Sequence, residues 1–290
     1  MKENVLLKNY TTYKIGGPAK YFFVAKTKED LIYALKFAKE KKLTVFILGG
    51  GSNLLISEKG FKGLVIKMDI SDVKLQENMV FAGAGADLAK LAYLSAEAGL
   101  SGLEWSAGIP GATVGGAIYG HAQAFGAKIS DAVKEVHAIN LKTLQYKKFT
   151  KKQCRFSLKN SIFKKTQKFV IISVILELQK KDIQEIKTQI KEFLEYRKNE
   201  HPINFPSAGS TFVNPAIKGK IIPAGFLVAR SGLSGKKVGD AQISEKHANF
   251  IINLGQAKSS DILALINMAK KAVKKKFKIN LKTEVQLVGF

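Results

Sequence analysis

The sequence predicts an α+β or α/β protein of roughly two domains. Three observations carry that expectation. β-Branched and aromatic runs are interspersed with amphipathic helical runs along the whole chain. Glycine clusters follow directly on several of the expected strands. With 290 residues, 46% of them hydrophobic, each of two domains can bury a proper core.

The elements follow in order. Thr27-Lys28-Glu29-Asp30 has capping-box form ahead of Leu31, Leu35 and Ala38, which predicts a helix over about 28–41. Residues 44–48 read as a short strand ending in Gly49-Gly50-Gly51-Ser52-Asn53. Further strands are expected at 63–68 and 79–82, the latter running into Gly83-Ala84-Gly85-Ala86-Asp87 and a helix over 88–98. Past a glycine-dense stretch, 108–126, strands are expected at 132–140 and 169–178. A charged helix over about 182–198 puts Ile183, Ile186, Ile190, Phe193 and Leu194 on one stripe and marks the domain boundary. A strand at 248–253, a helix over about 260–277 and a last strand at 283–288 complete the chain.

Composition excludes several functions. The net charge of +24 suggests nucleic acid, yet only three of the 47 basic residues are arginine: Arg155, Arg197 and Arg230. Bidentate phosphate recognition favours arginine, and lysines such as Lys270, Lys271, Lys274, Lys275 and Lys276 read as a solvated helix face. No nucleic-acid partner is expected, although anionic ligands suit such a surface. The longest apolar run, 169–178, is broken by Ser173 and Glu177 and falls short of the ~20 residues a membrane span needs. The N-terminus has no secretory apolar region, and the single Cys154 forms neither an internal disulfide nor a multi-cysteine metal site. A cytoplasmic, metal-free protein is expected.

Residues 206–215, Pro-Ser-Ala-Gly-Ser-Thr-Phe-Val-Asn-Pro, hold Ser210 between two prolines and just after a glycine. Proline fixes φ and removes a donor, and glycine permits φ > 0, so this segment should be a stiff turn that aims one hydroxyl. An ordinary Ser/Pro turn is the alternative. Three glycine clusters on strand ends suggest backbone amides converging on an anion. Gly49-Gly50-Gly51-Ser52-Asn53 lacks the Gly-Lys-Ser/Thr of a P-loop, and Gly83-Ala84-Gly85 has Leu88 where a dinucleotide fingerprint needs glycine. The third cluster, from Ala107 to Ala117, sets small residues among apolar ones, as if pressed against a large flat ligand. Together they favour a dinucleotide pyrophosphate bound in a non-Rossmann way.

The order of motifs resembles one family. Tyr-Thr-Thr-Tyr-Lys-Ile-Gly-Gly-Pro-Ala (10–19), Leu-Gly-Gly-Gly-Ser-Asn-Leu-Leu (48–55), Ala-Gly-Ile-Pro-Gly with Val-Gly-Gly-Ala (107–117), Ser-Ala-Gly-Ser-Thr-Phe-Val-Asn-Pro (207–215), Gln-Ile-Ser-Glu-Lys-His-Ala-Asn-Phe-Ile-Ile-Asn (242–253) and Glu-Val-Gln-Leu-Val-Gly (284–289) occur in sequence. This order is similar to that of the UDP-N-acetylenolpyruvoylglucosamine reductases, the MurB family, in their compact form. The resemblance implies an α+β chain: a bipartite FAD-binding fold of the vanillyl-alcohol-oxidase (PCMH) type plus a smaller α/β substrate-binding domain. Residues 1–69 and 70–199 would be the two FAD-binding subdomains and 200–290 the substrate-binding domain. It implies FAD as cofactor, NADPH as co-substrate, a nucleotide-sugar substrate and a monomer.

Residue by residue, the resemblance makes Ser210 the proton donor and Glu284 the assisting carboxylate. Lys159 falls where the family has an arginine, with Leu158 in the tyrosine position; a shift of four would put Arg155 there instead. Gly49, Gly50, Gly51, Ser52, Asn53, Thr113, Gly115, Gly116 and His121 are the expected flavin contacts. Asn214, Gln242, His247 and Asn249 are the substrate-side candidates. His121 and Gln123 stand in a segment where the family is closer to Asn-Ala-Gly-Ala-Tyr-Gly, and Ala112, Val213 and Ala229 are further departures. Two alternatives stay open: an FAD-dependent oxidase or dehydrogenase of the wider fold, and a catalytically impaired flavin-binding paralogue.

Overall fold

The computed structural model describes residues 1–217 and 219–290. In chain order the elements that position the site begin with α1 (Lys28–Glu40), β1 (Val45–Leu48), β2 (Leu54–Ile56), β3 (Phe61–Met68), β4 (Val73–Gln76), β5 (Met79–Gly83), α2 (Leu88–Glu97) and α3 (Val114–Gly120). They continue with β6 (Val133–Asn140), β7 (Tyr146–Thr150), β8 (Phe169–Glu177), α4 (Ile183–Glu200), α5 (Ala224–Arg230), β9 (Ala241–Ile243), β10 (Ile251–Asn253), α6 (Ser259–Phe277) and β11 (Gln286–Val288). The mixture of helices and largely antiparallel sheets is α+β. The chain divides into two compact units: residues 1–3, 21–50 and 63–195 in the first, and 4–20, 51–62 and 196–290 in the second.

In the first unit, α1 starts where its capping box predicts. Thr27 Oγ1 accepts the Asp30 N–H and the Asp30 carboxylate accepts the Thr27 N–H, each at 3.0 Å. A five-stranded antiparallel sheet runs β7-β6-β8-β5-β4. Its buried face offers Val136, Ala138, Val174, Leu176, Val80 and Ala82, which join Leu88 and Leu91 of α2 and Val114 and Ile118 of α3 in one core. Each fully buried Leu, Ile or Val there contributes roughly 1.5–3 kcal/mol. Beside that sheet in sequence, β1 and β3 pair in parallel with Val45 opposite Leu64.

The second unit has its own core, built from Leu227 and Val228 of α5 and Ile262, Leu265, Ile266, Ala269 and Val273 of α6 over the β9–β10 hairpin. Here two expected strands come out shorter. The strand expected at 248–253 starts only at Ile251, because the Phe250 N–H turns back onto the His247 carbonyl at 2.9 Å. The strand expected at 283–288 starts at Gln286, where it runs parallel to β2 with Gln286 opposite Leu54. Residues ahead of it pair elsewhere: Thr283 forms a bridge to Phe212, and the Val213 N–H donates to the Lys282 carbonyl at 2.9 Å. As expected, residues 206–210 are neither helix nor strand, and Gly209 takes φ +72°.

Candidate active site

The glycine clusters of the first unit are places where backbone meets backbone. A Cβ at Gly50 would lie 1.5 Å from the Gly111 carbonyl oxygen, and one at Gly49 would lie 2.7 Å from Thr113 Oγ1. Loop 111–115 is zipped to residues 84–88: Gly115 N–H donates to Ala84 O at 2.8 Å, Val114 N–H to Ala86 O at 2.9 Å and Leu88 N–H to Ala112 O at 2.9 Å. The same loop launches α3, a helix the sequence reading did not predict. Three glycines among its seven residues lower its propensity, but Thr113 Oγ1 caps it by accepting the Gly116 N–H at 3.3 Å.

Lys67, missed in the sequence reading, sits beside this loop. Its ammonium donates to the Gly49 carbonyl at 2.7 Å, and burial lowers its pKa while Asp69 opposes that shift. In a trans peptide the carbonyl of one residue and the N–H of the next point in opposite directions. Fixing Gly49 O on Lys67 therefore turns the Gly50 N–H outward. The signal was present in the sequence: one lysine in the otherwise apolar Leu64-Val65-Ile66-Lys67-Met68. Side-chain-free glycines and an amide oriented by the lysine behind it form a donor set that fits a pyrophosphate.

At the other end of α3, a turn at 155–161 is bound to the helix. Ser161 Oγ donates to the Tyr119 carbonyl at 2.8 Å, and His121 Nδ1 lies 2.6 Å from the Ser157 carbonyl. Lys159 is half-buried within that turn, with φ +54°, whereas Arg155 is exposed. His121 is buried, places Nε2 2.8 Å from Ser130 Oγ and stacks on Phe156 with ring centroids 4.9 Å apart. Both of its ring nitrogens thus face protein partners.

In the second unit the backbone of 211–213 runs against 282–284. Glu284 N–H donates to Thr211 O at 2.8 Å, so the residue after Ser210 is bonded directly to the Glu284 backbone. Asn53 braces the same strand: its side-chain amide donates to Glu284 O at 3.3 Å and its own carbonyl accepts the Gln286 N–H at 3.0 Å. Ser210 and Glu284 are both half-buried. The structure thus brings Ser210, Glu284 and Asn53 together in one unit, and Gly49, Gly50, Thr113, Gly115 and Gly116 together in the other.

The substrate-side candidates have structural partners as well. Asn214 Oδ1 accepts the Ala224 N–H at 2.9 Å at the start of α5, and Gln242 Nε2 donates to Gly235 O at 3.2 Å. His247 Nδ1 accepts the Asn249 N–H at 3.2 Å, and burial holds its pKa down. Asn249 is 3% exposed and its side chain pairs with the Phe212 backbone. Among the described residues there is no group of three or more His, Cys, Asp or Glu able to hold a metal, and no helix is long and apolar enough to cross a membrane.

Comparison with known proteins defines the class first. Residues 19–143 match the model of an FAD binding domain, which covers the glycine loops and the start of the sheet. With that match and the donor set described above, the chain is an FAD-binding protein. Residues 201–288 match the model of the UDP-N-acetylenolpyruvoylglucosamine reductase C-terminal domain. The UDP-N-acetylenolpyruvoylglucosamine reductase of Alkaliphilus oremlandii is 40% identical over 98% of this chain and 91% of its own length. That of Clostridium novyi is 39% identical over 100% and 92%. The crystal structure of the Thermus caldophilus reductase superposes with a TM-score of 0.83 at 33% identity, covering 99% of this chain and 98% of the other. The chain belongs to the UDP-N-acetylenolpyruvoylglucosamine reductase family. That membership favours the reductase over the oxidase alternative.

Proposed function

We propose that this chain carries out the family's reaction, the NADPH-dependent reduction of UDP-N-acetylglucosamine enolpyruvate to UDP-N-acetylmuramate, with Ser210 as the proton donor. Bound FAD would supply the hydride chemistry between NADPH and the enolpyruvyl double bond. Gly49, Gly50, Thr113, Gly115 and Gly116 would hold it, with Gly51, Ser52 and Asn53 continuing the same loop. His121 supports the turn that carries Lys159. The two ends of the substrate double bond have different needs. Once one carbon has received hydride, its neighbour is the carbon of an enolate of a carboxylate and must take a proton.

A serine hydroxyl is a weak acid in water and works only when held against so basic a carbon. Glu284 acts on the other side of the enolpyruvyl group, and Lys159 supplies positive charge for the developing enolate. Lysine keeps the charge of the family's arginine and loses its bidentate fork. Its half-buried place in a turn tied to α3 supports Lys159 over the exposed Arg155 for that role. Asn214 and Gln242 remain on the substrate side. The enzyme works in the cytoplasm as a monomer.

One observation carries this reading: the hydrogen bond from Glu284 N–H to Thr211 O, which fixes the two proposed acid–base groups on adjoining backbone. The test is purification with bound FAD, then NADPH oxidation with and without the enolpyruvyl nucleotide sugar. Oxidation that requires the sugar supports the reading. Colourless protein without flavin affinity, or turnover sustained by oxygen alone, contradicts it.

A further inference from the structure

We infer that Asn249 is a positioning residue for the Ser210 hydroxyl, not a substrate ligand. The inference rests on the reading of Ser210 as proton donor. Gly209, just ahead of Ser210, takes φ +72°, a conformation in which glycine pays no side-chain penalty and constrains nothing downstream. The direction of the hydroxyl must therefore be set from the C-terminal side. Four hydrogen bonds meet there on Thr211 and Phe212, and three of them come from Asn249.

Phe212 N–H donates to Asn249 Oδ1 at 2.9 Å, and Asn249 Nδ2 donates back to Phe212 O at 3.0 Å. The side-chain amide thus pairs with both polar groups of one residue, as a neighbouring strand would. Thr211 N–H donates to the Asn249 main-chain carbonyl at 2.7 Å, and the fourth bond is Glu284 N–H to Thr211 O at 2.8 Å.

Asn249 is itself held. Its N–H donates to His247 Nδ1 at 3.2 Å, and four residues on, the Asn253 N–H donates to Pro206 O at 2.9 Å. The Tyr13 hydroxyl donates to the Ile251 carbonyl at 2.9 Å in between. The Ser210 turn is thereby fastened at Pro206 and again at Thr211–Phe212 to one short segment, 249–253. Both polar atoms of the Asn249 side chain are engaged and the residue is 3% exposed, which leaves little of it for a substrate to touch. Only an amide supplies a donor and an acceptor together in that space.

The test separates binding from proton delivery. FAD-loaded enzyme is reduced anaerobically and mixed with increasing enolpyruvyl nucleotide sugar, and flavin reoxidation is followed. Asn249→Ala is expected to lower the maximal reoxidation rate about 100-fold, the scale of a ~1 Å misplacement, with half-saturation little changed. Asn249→Asp, equal in size, keeps the acceptor for Phe212 N–H and should fall between the two. In a Ser210→Ala background, Asn249→Ala should cost nothing further, because it acts through that hydroxyl.

A raised half-saturation with the maximal rate kept would make Asn249 a substrate ligand and overturn the proposal. Failure of both Asn249 variants to fold would assign it to domain stability and overturn it equally. Should Ser210→Ala itself leave reoxidation intact, the proton-donor reading falls first. Should it block reoxidation while Asn249→Ala does not, this inference alone falls.

Discussion

The loops around Gly50 and the segment around Ser210 fix their geometry by different means. In the first, position comes from removing side chains: Gly50 lets its backbone meet the Gly111 carbonyl, and Gly115 lets α3 sit on Ala84. In the second, position comes from adding polar side chains that act as stand-in backbone: Asn249 on Phe212, Asn53 on Glu284, Asn253 on Tyr13. A pyrophosphate is bound by many weak, convergent donors and tolerates any side chain that stays out of the way. A proton transfer needs one hydroxyl aimed to within a fraction of an ångström, which directional bonds on the adjoining backbone supply.

Substitutions can break either half of this contrast. Gly50→Ala is expected to have the largest effect, because its new Cβ would stand 1.5 Å from the Gly111 oxygen and no side chain can yield. The cost should exceed about 4 kcal/mol, read as loss of FAD retention together with lowered thermal stability. Glu284→Gln keeps the backbone bonds and removes only the charge, so FAD content and reduction by NADPH should stay normal while reoxidation by substrate slows about 100-fold. Lys159→Ala should slow that same step about 10-fold, less than a buried oxyanion donor because the residue is half-exposed, whereas Arg155→Ala should stay within about twofold. Equal effects at 155 and 159 would show that the register chosen for this turn is wrong.

The smallest effect concerns pH. Burial, with the charges of Arg197, His247 and Lys246, lowers the His201 pKa from 6.5 to about 4. Its folded form therefore favours the neutral ring, while the unfolded chain takes up a proton below about 6.5. Stability should be fully present above pH 6.5 and decline as the pH falls toward 4. His201→Gln should flatten that slope in denaturant titrations, and an unchanged slope would assign the acid sensitivity to other groups.

Much of the fold could be read from local signals. The capping box at Thr27–Asp30, the apolar stripe of α6 and the strand at 169–177 all appear where periodicity puts them, because each is decided within one or two turns of chain. What escaped depends on distant partners. Helix α3 forms among glycines because Ala84 lies under it, and α5 begins where Asn214 Oδ1 meets the Ala224 N–H ten residues away. The shortened β11 gives up residues 282–284 to the Ser210 segment, some seventy positions earlier, through bonds no local pattern announces. The site followed the same rule. Glycine clusters and the boxed Ser210 were visible as composition. Lys67 stood out in its apolar run, but its place behind the Gly49 carbonyl did not, nor did that of the Asn249 amide behind Phe212, since a single polar residue near an apolar run says nothing about what it faces.

The central claim, that a hydroxyl aimed by its backbone completes a reaction begun at the flavin, is tested most directly by resolving the two half-reactions of Ser210→Ala. Anaerobic stopped-flow should show flavin reduction by NADPH at close to the unmodified rate, followed by reoxidation with enolpyruvyl nucleotide sugar slowed about 1000-fold, within the range of a lost general acid. Reoxidation at the unmodified rate, or equal loss in both halves, would contradict the account.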